Sequence, residues 1–392
     1  MKFAQSISFL GRAILLGGAL CLGPAGLSTP AAAIESIARE AILVDATTGA
    51  VLFEKNADKP MAPASMSKMM TVYMVFERLR DGSLSLDDTF PVSERAWRKG
   101  GARSGSSTMF LDPGTRVGVE ELLRGIIVQS GNDACIVIAE GLAGSEEAFA
   151  EEMNVKAKLI GLQNSFFKNA TGWPVPEHLM TPRDLTKLAI RTIEDFPDYY
   201  HYYGEKDFTY NGIRQINRNP LLYKDMGADG LKTGHTVASG YGLSATVLRG
   251  ERRLVLVVNG LANKKARARE PERLLEWGFR EFNNYALFKA GEGVLDADVW
   301  LGQSATVPLV IENDLLITMP RKARRAMKVT VKYTNPIPAP IQAGAELARL
   351  VIEAPGEETL EVPLIAGGDV KRLGLFGRLG TAFKYILWGS SG

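Results

Sequence analysis

The sequence predicts an α+β protein in which an antiparallel sheet is covered by helices and followed by a small all-β sandwich domain. Apolar runs from residue 41 and again over residues 231–259 predict strands, whereas the chain between them has helical periodicity. After about Lys289 the pattern changes to six short strands at regular spacing. With 392 residues and a hydrophobic content of 46%, the chain has enough material for two domains.

Local signals predict the elements of the first domain. Apolar runs around Thr48-Gly49 predict a β-hairpin, which leads into a helix that ends at Asp81-Gly82. A helical cluster follows at residues 119–128, 133–142, 145–160 and 181–192. Strands at residues 231–235, 241–248 and 254–259 and a closing helix at residues 273–283 complete the domain. The Gly-, Ser- and Arg-containing stretch 91–114 is expected to be irregular, as a lid over a site or as plain surface.

Short alternating runs define the second domain. The predicted strands lie at residues 298–301, 306–311, 315–319, 329–333, 347–352 and 360–364. We place the first domain at residues 34–288 and the β-sandwich domain at residues 289–370.

The two ends of the chain have patterns of their own. Basic residues, a short apolar run and Ala31-Ala32-Ala33 predict a secretory signal peptide over residues 1–33. Its removal leaves Cys135 as the one cysteine, so no intrachain disulfide is expected. Residues 371–392 contain an amphipathic helical pattern, which predicts a helix that lies on a membrane surface as an anchor or, alternatively, packs on the sandwich.

Composition argues against two classes of function. A formal net charge of +2 gives no reason to expect a nucleic-acid partner. The three histidines, His178, His201 and His235, are far apart in the sequence, and neither H-E-x-x-H nor C-x-x-C occurs. We therefore expect no metal ion and no cofactor.

The stretch Ser65-Met66-Ser67-Lys68 lies near the start of the helix that ends at Asp81-Gly82. Residues three apart share one face of a helix, so the Lys68 amine can reach the Ser65 hydroxyl. A lysine that is kept neutral can remove the proton of a serine and make it a nucleophile. However, about one S-x-x-K spacing is expected by chance in such a chain, and Ser165-Phe166-Phe167-Lys168 is a second.

Two further motifs follow in order. Ser130-Gly131-Asn132 lies at a break between two predicted helices, and Lys232-Thr233-Gly234 lies on a predicted strand. S-x-x-K, S-x-N and K-T-G in this order are the signature of the penicillin-recognising serine acyl transferases. The three motifs together are far rarer by chance than any one of them. The S-x-x-K at Ser165 follows the S-x-N element and is therefore discarded.

Within that group the chain resembles the low-molecular-weight D-alanyl-D-alanine carboxypeptidases of peptidase family S11. The resemblance covers nearly all of residues 34–392, including the β domain and the amphipathic tail. It implies a serine β-lactamase/penicillin-binding-protein-like transpeptidase fold, with a catalytic D,D-peptidase domain at residues 34–288. It further implies removal of the terminal D-alanine from peptidoglycan pentapeptides through an acyl-enzyme, and covalent inhibition by β-lactam antibiotics.

The resemblance also implies roles for individual residues. Ser65 is the acylated nucleophile, Lys68 is its general base, and Ser130 and Asn132 help to relay the proton and hold the substrate amide. Lys232 contributes the positive charge that keeps Lys68 partly neutral. The remaining residues of the implied substrate site are Thr233, Gly234, His235 and Arg269.

Thr233 and an arginine after the strands are implied to bind the terminal carboxylate of the substrate. We place that arginine at Arg269, with Arg267 as the alternative. The backbone N–H groups of Ser65 and His235 are implied to form the oxyanion hole. The segment around His178 departs from the small polar residues that the family often has there, so the role of His178 stays open.

Three further functions are compatible with these motifs. A class A β-lactamase adds a glutamate that activates the deacylating water, but the region of Asn164, Asn169 and Thr171 offers no such residue. We therefore expect a stable penicilloyl adduct on Ser65. A D,D-endopeptidase would carry the same motifs, and a non-catalytic cell-wall-binding protein could retain the same fold. The signal peptide and the tail predict a periplasmic protein on the outer face of the cytoplasmic membrane.

Overall fold

The computed structural model describes residues 34–377 and the backbone of residues 2–6. The chain divides into two compact units, one ending at Arg280 and one starting at Glu281, to which strand β1 (Lys2–Ser6) also belongs. The predicted domain boundary at residues 288/289 lies one strand too late. The run Phe282–Phe288 is a strand that pairs with Leu315–Pro320 of the second unit, not the end of a helix.

The first unit is built on a five-stranded sheet whose neighbouring strands are all antiparallel. Its order is β3-β2-β10-β9-β8. The strands are β2 (Glu40–Asp45), β3 (Val51–Lys55), β8 (Ala228–Thr236), β9 (Gly240–Arg249) and β10 (Arg252–Leu261). Two small ribbons flank it, formed by β4 (Thr89–Pro91) with β5 (Arg116–Gly118) and by β6 (Asp207–Tyr210) with β7 (Ile213–Ile216).

Helices cover both faces of this sheet, as the sequence predicted. The helices are α1 (Lys68–Asp81), α2 (Glu94–Gly100), α3 (Val119–Arg124), α4 (Asn132–Ala143), α5 (Glu146–Leu159), α6 (Pro182–Asp195) and α7 (Lys264–Glu281). On one face, Gly278 of α7 lies against Leu43 and Leu254. On the other face, Ile42 and Val257 share a core with the buried residues of α1 and α4.

The stretch 91–114, predicted to be irregular, contains helix α2 and a 3-10 turn at Ala102–Ser104. Ser93 caps α2, because its Oγ accepts a hydrogen bond from the N–H of Ala96 at 2.9 Å. Gly100 lies so close to the start of α4 that a Cβ there would be 2.3 Å from the nitrogen of Asp133. Packing on α4 therefore stabilises helix α2, which the Gly-rich sequence does not predict.

The second unit contains all six predicted strands. A seven-stranded sheet has the order β1-β15-β17-β18-β13-β12-β16, and β11 pairs with β14 in a separate ribbon. The elements are β11 (Phe282–Phe288), β12 (Gly293–Trp300), β13 (Thr306–Ile311), β14 (Leu315–Pro320), α8 (Arg321–Arg324), β15 (Lys328–Thr334), β16 (Ile337–Pro338), β17 (Glu346–Glu353) and β18 (Leu360–Ala366). Phe288 and Ile317 of the ribbon share one apolar core with the sheet residues Val331 and Leu350.

The predicted signal peptide and most of the predicted tail lie outside the described residues, which include only residues 2–6 of the former and 371–377 of the latter. Of the helices among the described residues, none combines the length and the hydrophobicity needed to cross a membrane. In the same part of the chain, no group of three or more His, Cys, Asp or Glu side chains is placed to hold a metal ion.

Candidate active site

Ser65 and Lys68 lie at the junction of a 3-10 turn (Ala64–Ser67) and helix α1. The Lys68 Nζ is 3.0 Å from the Ser65 Oγ. Lys68 also donates to the Oδ1 of Asn132 at 2.7 Å and to the backbone oxygen of Thr171. A neutral amine has two N–H donors and one lone pair. With Asn132 and Thr171 accepting the two protons, the lone pair is left for the hydroxyl proton of Ser65.

Two glycines allow other segments to approach the Ser65 turn. A Cβ on Gly234 of β8 would be 2.8 Å from the backbone oxygen of Pro63. Gly172 has a φ of +75°, and a Cβ there would be 2.0 Å from the backbone oxygen of Ala64. The nucleophile is therefore enclosed between the edge strand β8 and the loop that contains Thr171.

Burial lowers the pKa of Lys68, which is fully buried, to about 8. The positive charge of Arg218 also lowers it, whereas the carboxylates of Asp133 and Glu146 raise it. We predicted that the charge of Lys232 also keeps Lys68 neutral, and this stays a prediction. Burial, followed by the charges of Lys68 and Arg218, lowers the pKa of Lys232 well below its ordinary value. Because two buried ammonium groups repel each other, protonation of one lysine disfavours protonation of the other.

Ser130 and Asn132 lie at the predicted break between two helices. A π-helical turn (Gly125–Gln129) ends at Ser130, which has a φ of 66°. This left-handed conformation is strained for a residue with a side chain, and such strain is common at functional sites. Ser130 is buried, and its Oγ has no hydrogen-bond partner among the described residues. Its hydroxyl is therefore available to a ligand.

The fully buried Asp133 holds the neighbouring loop in place rather than taking part in the site. Its carboxylate accepts hydrogen bonds from the Thr108 hydroxyl at 2.5 Å and from the backbone N–H groups of Met109 and Leu111 at 3.0 and 3.2 Å. The N–H of Asn132 also donates to the backbone oxygen of Ser107 at 2.7 Å. These bonds fix the start of α4, and with it the Asn132 side chain.

The predicted strand residues Lys232, Thr233, Gly234 and His235 all lie on β8. The first three are buried, whereas His235 is exposed. The His235 ring lies on that of Tyr241, with their centroids 3.9 Å apart. Burial and the charge of Arg267 lower the pKa of His235.

The structure brings Arg267, and not Arg269, to this site. Arg267 is 8% exposed, and its guanidinium lies over the Tyr241 ring at 5.4 Å. The charge of Arg267 lowers the pKa of Lys232, as expected for two cations that lie near each other. Arg269 is exposed and lines a separate groove with Ile37. The placement favours Arg267, our alternative, over Arg269, because two residues along a helix turn a side chain to roughly the opposite face.

Sequence reasoning did not single out two residues of the site. Arg218 donates to the Ser107 Oγ at 2.6 Å, and its charge lowers the pKa values of Lys68, Lys232 and Arg267. It lies in no motif. Thr171 contributes a backbone oxygen, which no side-chain pattern reveals.

Glu146 is a buried carboxylate that the sequence also left unnoticed. Its Oε2 accepts from the Lys99 Nζ at 3.0 Å, and its Oε1 accepts from the N–H of Ala170 at 3.3 Å. Each oxygen thus accepts a hydrogen bond, and the carboxylate forms a structural ion pair with Lys99.

His178 and the second S-x-x-K are part of the supporting structure. The His178 Nδ1 accepts from the N–H of Lys168 at 3.3 Å. Burial and the charge of Lys68 lower the pKa of His178 to about 4, so its ring is neutral at physiological pH. Ser165 donates to Asp184 at 2.8 Å, whereas Lys168 pairs with Glu177 at 2.9 Å. The two residues do not form a nucleophile–base pair.

The site thus combines a serine with a buried amine and, beside it, a cluster of cations. Nucleophile and base are in contact, and the charges of Lys232, Arg218 and Arg267 influence one another. This arrangement fits acyl transfer on a substrate that carries a carboxylate close to the scissile bond.

Family models match both units of the chain. One described as D-alanyl-D-alanine carboxypeptidase matches residues 27–263, and one described as the C-terminal domain of penicillin-binding protein 5 matches residues 282–372. The chain is 39% identical over 345 residues to D-alanyl-D-alanine carboxypeptidase DacC of Escherichia coli K12, which covers 87% of this chain and 86% of that protein.

Solved structures agree with this result. Penicillin binding protein 5 of Haemophilus influenzae is 35% identical, with a TM-score of 0.76 over 88% of this chain and 100% of that one. Penicillin-binding protein D2 of Listeria monocytogenes, solved in an ampicillin-bound form, is 29% identical, with a TM-score of 0.54 over 63% of this chain and 99% of that one. The chain therefore belongs to the D-alanyl-D-alanine carboxypeptidase family of penicillin-binding proteins, which confirms the resemblance seen in its sequence.

Proposed function

We propose that this protein is a serine-type D-alanyl-D-alanine carboxypeptidase that removes the terminal D-alanine from peptidoglycan pentapeptides through an acyl-enzyme on Ser65. The observation that carries the proposal is the environment of Lys68. Its Nζ is 3.0 Å from the Ser65 Oγ, and two oxygens accept its N–H groups. Such an amine is prepared to accept a proton from serine.

In the first step, Lys68 removes the hydroxyl proton of Ser65 while the Ser65 Oγ attacks the carbonyl carbon of the penultimate D-alanine. The tetrahedral intermediate carries a negative oxygen, which needs preorganised donors. The N–H groups of Ser65 and His235, on the 3-10 turn and the adjacent strand β8, are suited to this role. Gly234 supports it by allowing β8 to approach the turn.

The terminal carboxylate of the substrate binds to the cluster of cations beside Ser65. Thr233 offers a hydroxyl, and Arg267 and Arg218 offer guanidinium groups that bind carboxylates well. Lys232 adds positive charge in a buried position. A substrate without a free carboxylate would leave these cations without an anionic partner.

In the second step, the bond to the terminal D-alanine breaks, and its amine leaves with a proton. Ser130, whose buried hydroxyl has no hydrogen-bond partner among the described residues, would pass a proton from Lys68 to that amine. Water then hydrolyses the ester on Ser65. A β-lactam would acylate Ser65 in the same way, and its adduct would persist because the region of Asn164, Asn169 and Thr171 offers no glutamate to activate the deacylating water.

Two measurements on one sample test the proposal. Mass spectrometry of the benzylpenicillin-treated protein should locate a stable adduct on Ser65, and a pentapeptide should release D-alanine. Prompt turnover of benzylpenicillin would instead indicate a β-lactamase. Cleavage of cross-linked muropeptides without D-alanine release would indicate a D,D-endopeptidase, and no reaction with either substrate would indicate a cell-wall-binding protein.

The same proposal includes a periplasmic location on the outer face of the cytoplasmic membrane. It is supported by the signal-peptide pattern of residues 1–33 and the amphipathic pattern of residues 371–392. Deletion of residues 375–392 should release the mature protein from membranes in cell fractionation. A truncated protein that still sediments with the membranes would show that the tail is not the anchor.

A further inference from the structure

The two oxygens that accept the N–H groups of Lys68 come from segments far from it in the chain. The Oδ1 of Asn132 belongs to the first residue of α4, and the backbone oxygen of Thr171 belongs to the loop before α6. If either oxygen moves, the amine can rotate, and its lone pair is no longer fixed toward Ser65. The base therefore depends on the residues that hold these two segments in place.

Ala170, which precedes Thr171, is held from two sides. Its backbone oxygen accepts a hydrogen bond from the Thr71 hydroxyl of α1 at 2.7 Å. Its N–H donates to the Oε1 of Glu146, the first residue of α5, at 3.3 Å. Ala170 is fully buried, so loss of the Glu146 acceptor would leave a buried donor unsatisfied, which is unfavourable. This contact ties the loop that contains Thr171 to helix α5.

Glu146 is itself almost fully buried, and cations of α2 approach its carboxylate. Its side chain is 2% exposed, and its Oε2 lies 3.0 Å from the Lys99 Nζ and 3.4 Å from the Arg95 Nη2. Arg95 also pairs with Glu147 at 2.5 Å and lies 3.9 Å from Glu140 of α4. The positive end of the α5 dipole further favours a carboxylate at the first helical residue. Glu146 therefore joins α2 to α5.

Helix α2 in turn packs on the start of α4, from which Asn132 projects. Gly100 follows Lys99, and a Cβ on Gly100 would be 2.6 Å from the backbone carbonyl carbon of Asn132. Packing this close keeps α2 and the start of α4 in a fixed relation. The Glu146 carboxylate is thereby linked to the segments of both oxygens, directly to the loop and through Lys99 to α4.

We propose that Glu146 is a positioning residue for the general base Lys68. Through Ala170 it holds the backbone oxygen of Thr171 against the amine, and through α2 it holds the segment that carries Asn132. The hydrogen bonds of its side chain go to Ala170 and to α2, so it acts through other residues and not on the substrate. This inference rests on the proposed function, in which Lys68 is the base.

The charge of Glu146 has a second consequence, which can be measured. Burial lowers the pKa of Lys68 to about 8, whereas the carboxylates of Asp133 and Glu146 raise it. The other ionisable groups that face Lys68 lie on α4, on and before β8, and before α6: Cys135, Lys232, Arg218 and His178. A variant that keeps the acceptor at Glu146 but removes its charge should therefore lower the pKa of Lys68.

The test measures the second-order rate constant for benzylpenicillin labelling of Ser65 from pH 5.5 to 9.5, on the mature full-length protein. Glu146→Ala removes both acceptor and charge, so the plateau rate at high pH should fall about tenfold, as expected for a misplaced base. Glu146→Gln keeps an oxygen for the Ala170 N–H, so its plateau should fall by less than about threefold. Its profile should move to lower pH, which raises the rate at pH 6.5 relative to its own plateau about threefold.

Glu147→Gln is the matched control. Glu147 follows Glu146 on α5 and pairs with the same Arg95, but it is 68% exposed, and the Ala170 N–H donates to Glu146 instead. This variant makes the same charge change and should keep both the plateau and the pH profile. A thermal unfolding scan of each variant separates positioning from stabilisation, because a residue that only stabilises the fold would change the melting temperature and not the pH profile.

Three results would overturn the positioning role, whatever happens to the melting temperatures. They are an unshifted profile in Glu146→Gln, a normal plateau in Glu146→Ala, and a shift of the same size in Glu147→Gln. If Glu146→Ala does not fold, the profiles of the two glutamine variants decide. An unchanged protein that benzylpenicillin does not label on Ser65 would instead overturn the proposed function itself.

Discussion

The two units of this protein differ most clearly in what they bury. The first unit buries lysines, carboxylates, amides and hydroxyls, among them Lys68, Lys232, Asp133 and Asn132. In the second unit, every described residue that is fully buried is apolar, with Val331, Leu309 and Leu350 at 0% exposure. Both units have an apolar core, so they differ in their buried polar groups and not in whether they have a core.

Buried polar groups cost free energy unless they are satisfied, and perturbed groups cluster at functional sites. In the first unit this cost is met by a network around Lys68, in which neutral oxygens rather than carboxylates accept its hydrogen bonds. In the described part of the second unit, one buried side-chain polar atom, the Asn335 Oδ1, lacks a hydrogen-bond partner. We therefore expect the chemistry to lie in the first unit and core changes in the second unit to affect stability.

The largest effect should follow from removing the buried base. Lys68→Met keeps an apolar stem in a fully buried position but removes the amine. Acylation of Ser65 by benzylpenicillin should slow by about a thousandfold, within the range for loss of a general base. Stopped-flow or quenched labelling measures the rate. A variant that is labelled at more than a tenth of the normal rate would show that Lys68 is not the base.

The second unit should respond to a core change in stability and not in chemistry. Leu350 is fully buried, and Leu350→Ala should cost about 3 kcal/mol, as buried leucine truncations do. Calorimetry should show an earlier unfolding transition, while the rate of Ser65 labelling at 25 °C should stay normal. A matching loss of the labelling rate would break the proposed division of roles between the units.

Arg267 and Arg269 of α7 differ in burial, so their substitution compares a buried cation with an exposed one. Arg267→Ala should lower kcat/KM for D-alanine release about a hundredfold, because a charge-assisted contact to the substrate carboxylate is lost. Arg269→Ala is the matched control and should change it less than twofold, since its side chain is exposed. The reverse ranking would restore the assignment to Arg269 that the sequence suggested.

His178 should make the stability of the first unit sensitive to acid. Its pKa falls from 6.5 to about 4 on folding. Below pH 6.5 the unfolded chain takes up a proton that the folded chain refuses, so stability falls as the pH drops toward 4. The loss between pH 7 and pH 5 should be about 2 kcal/mol. Denaturant titrations should show a smaller loss in His178→Gln, and an unchanged slope with pH would contradict this origin.

A last prediction concerns the pH profile of acylation. With the pKa of Lys68 at about 8, the neutral base predominates above that pH and declines below it. The rate of Ser65 labelling should therefore fall about tenfold per pH unit well below 8. The second-order rate constant, measured from pH 5.5 to 9.5, tests this. A flat profile across that range would mean that the protonation of Lys68 does not limit acylation.

The order of the motifs was enough to identify Ser65, Lys68, Ser130, Asn132 and Lys232, and the structure joins the first two and Asn132 by hydrogen bonds. Periodicity also found the sheet, most helices and all six strands predicted in the second unit. It failed at residues 282–288, because a strand that follows directly on a helix has no turn signal between them. It failed again at α2, whose stability comes from its packing on α4 rather than from its own sequence.

The sequence by itself determined the family and predicted Ser65 as the nucleophile and Lys68 as its base, because these depend on residue types at fixed local spacing. Tertiary structure alone decided between Arg267 and Arg269, since helical spacing shows that they lie on different faces but not which face meets β8. It also decided the contributions of Thr171 and Arg218, and burial as the main cause of the lowered pKa of Lys68. Burial and charge depend on segments that are distant in the chain and meet only in the folded protein.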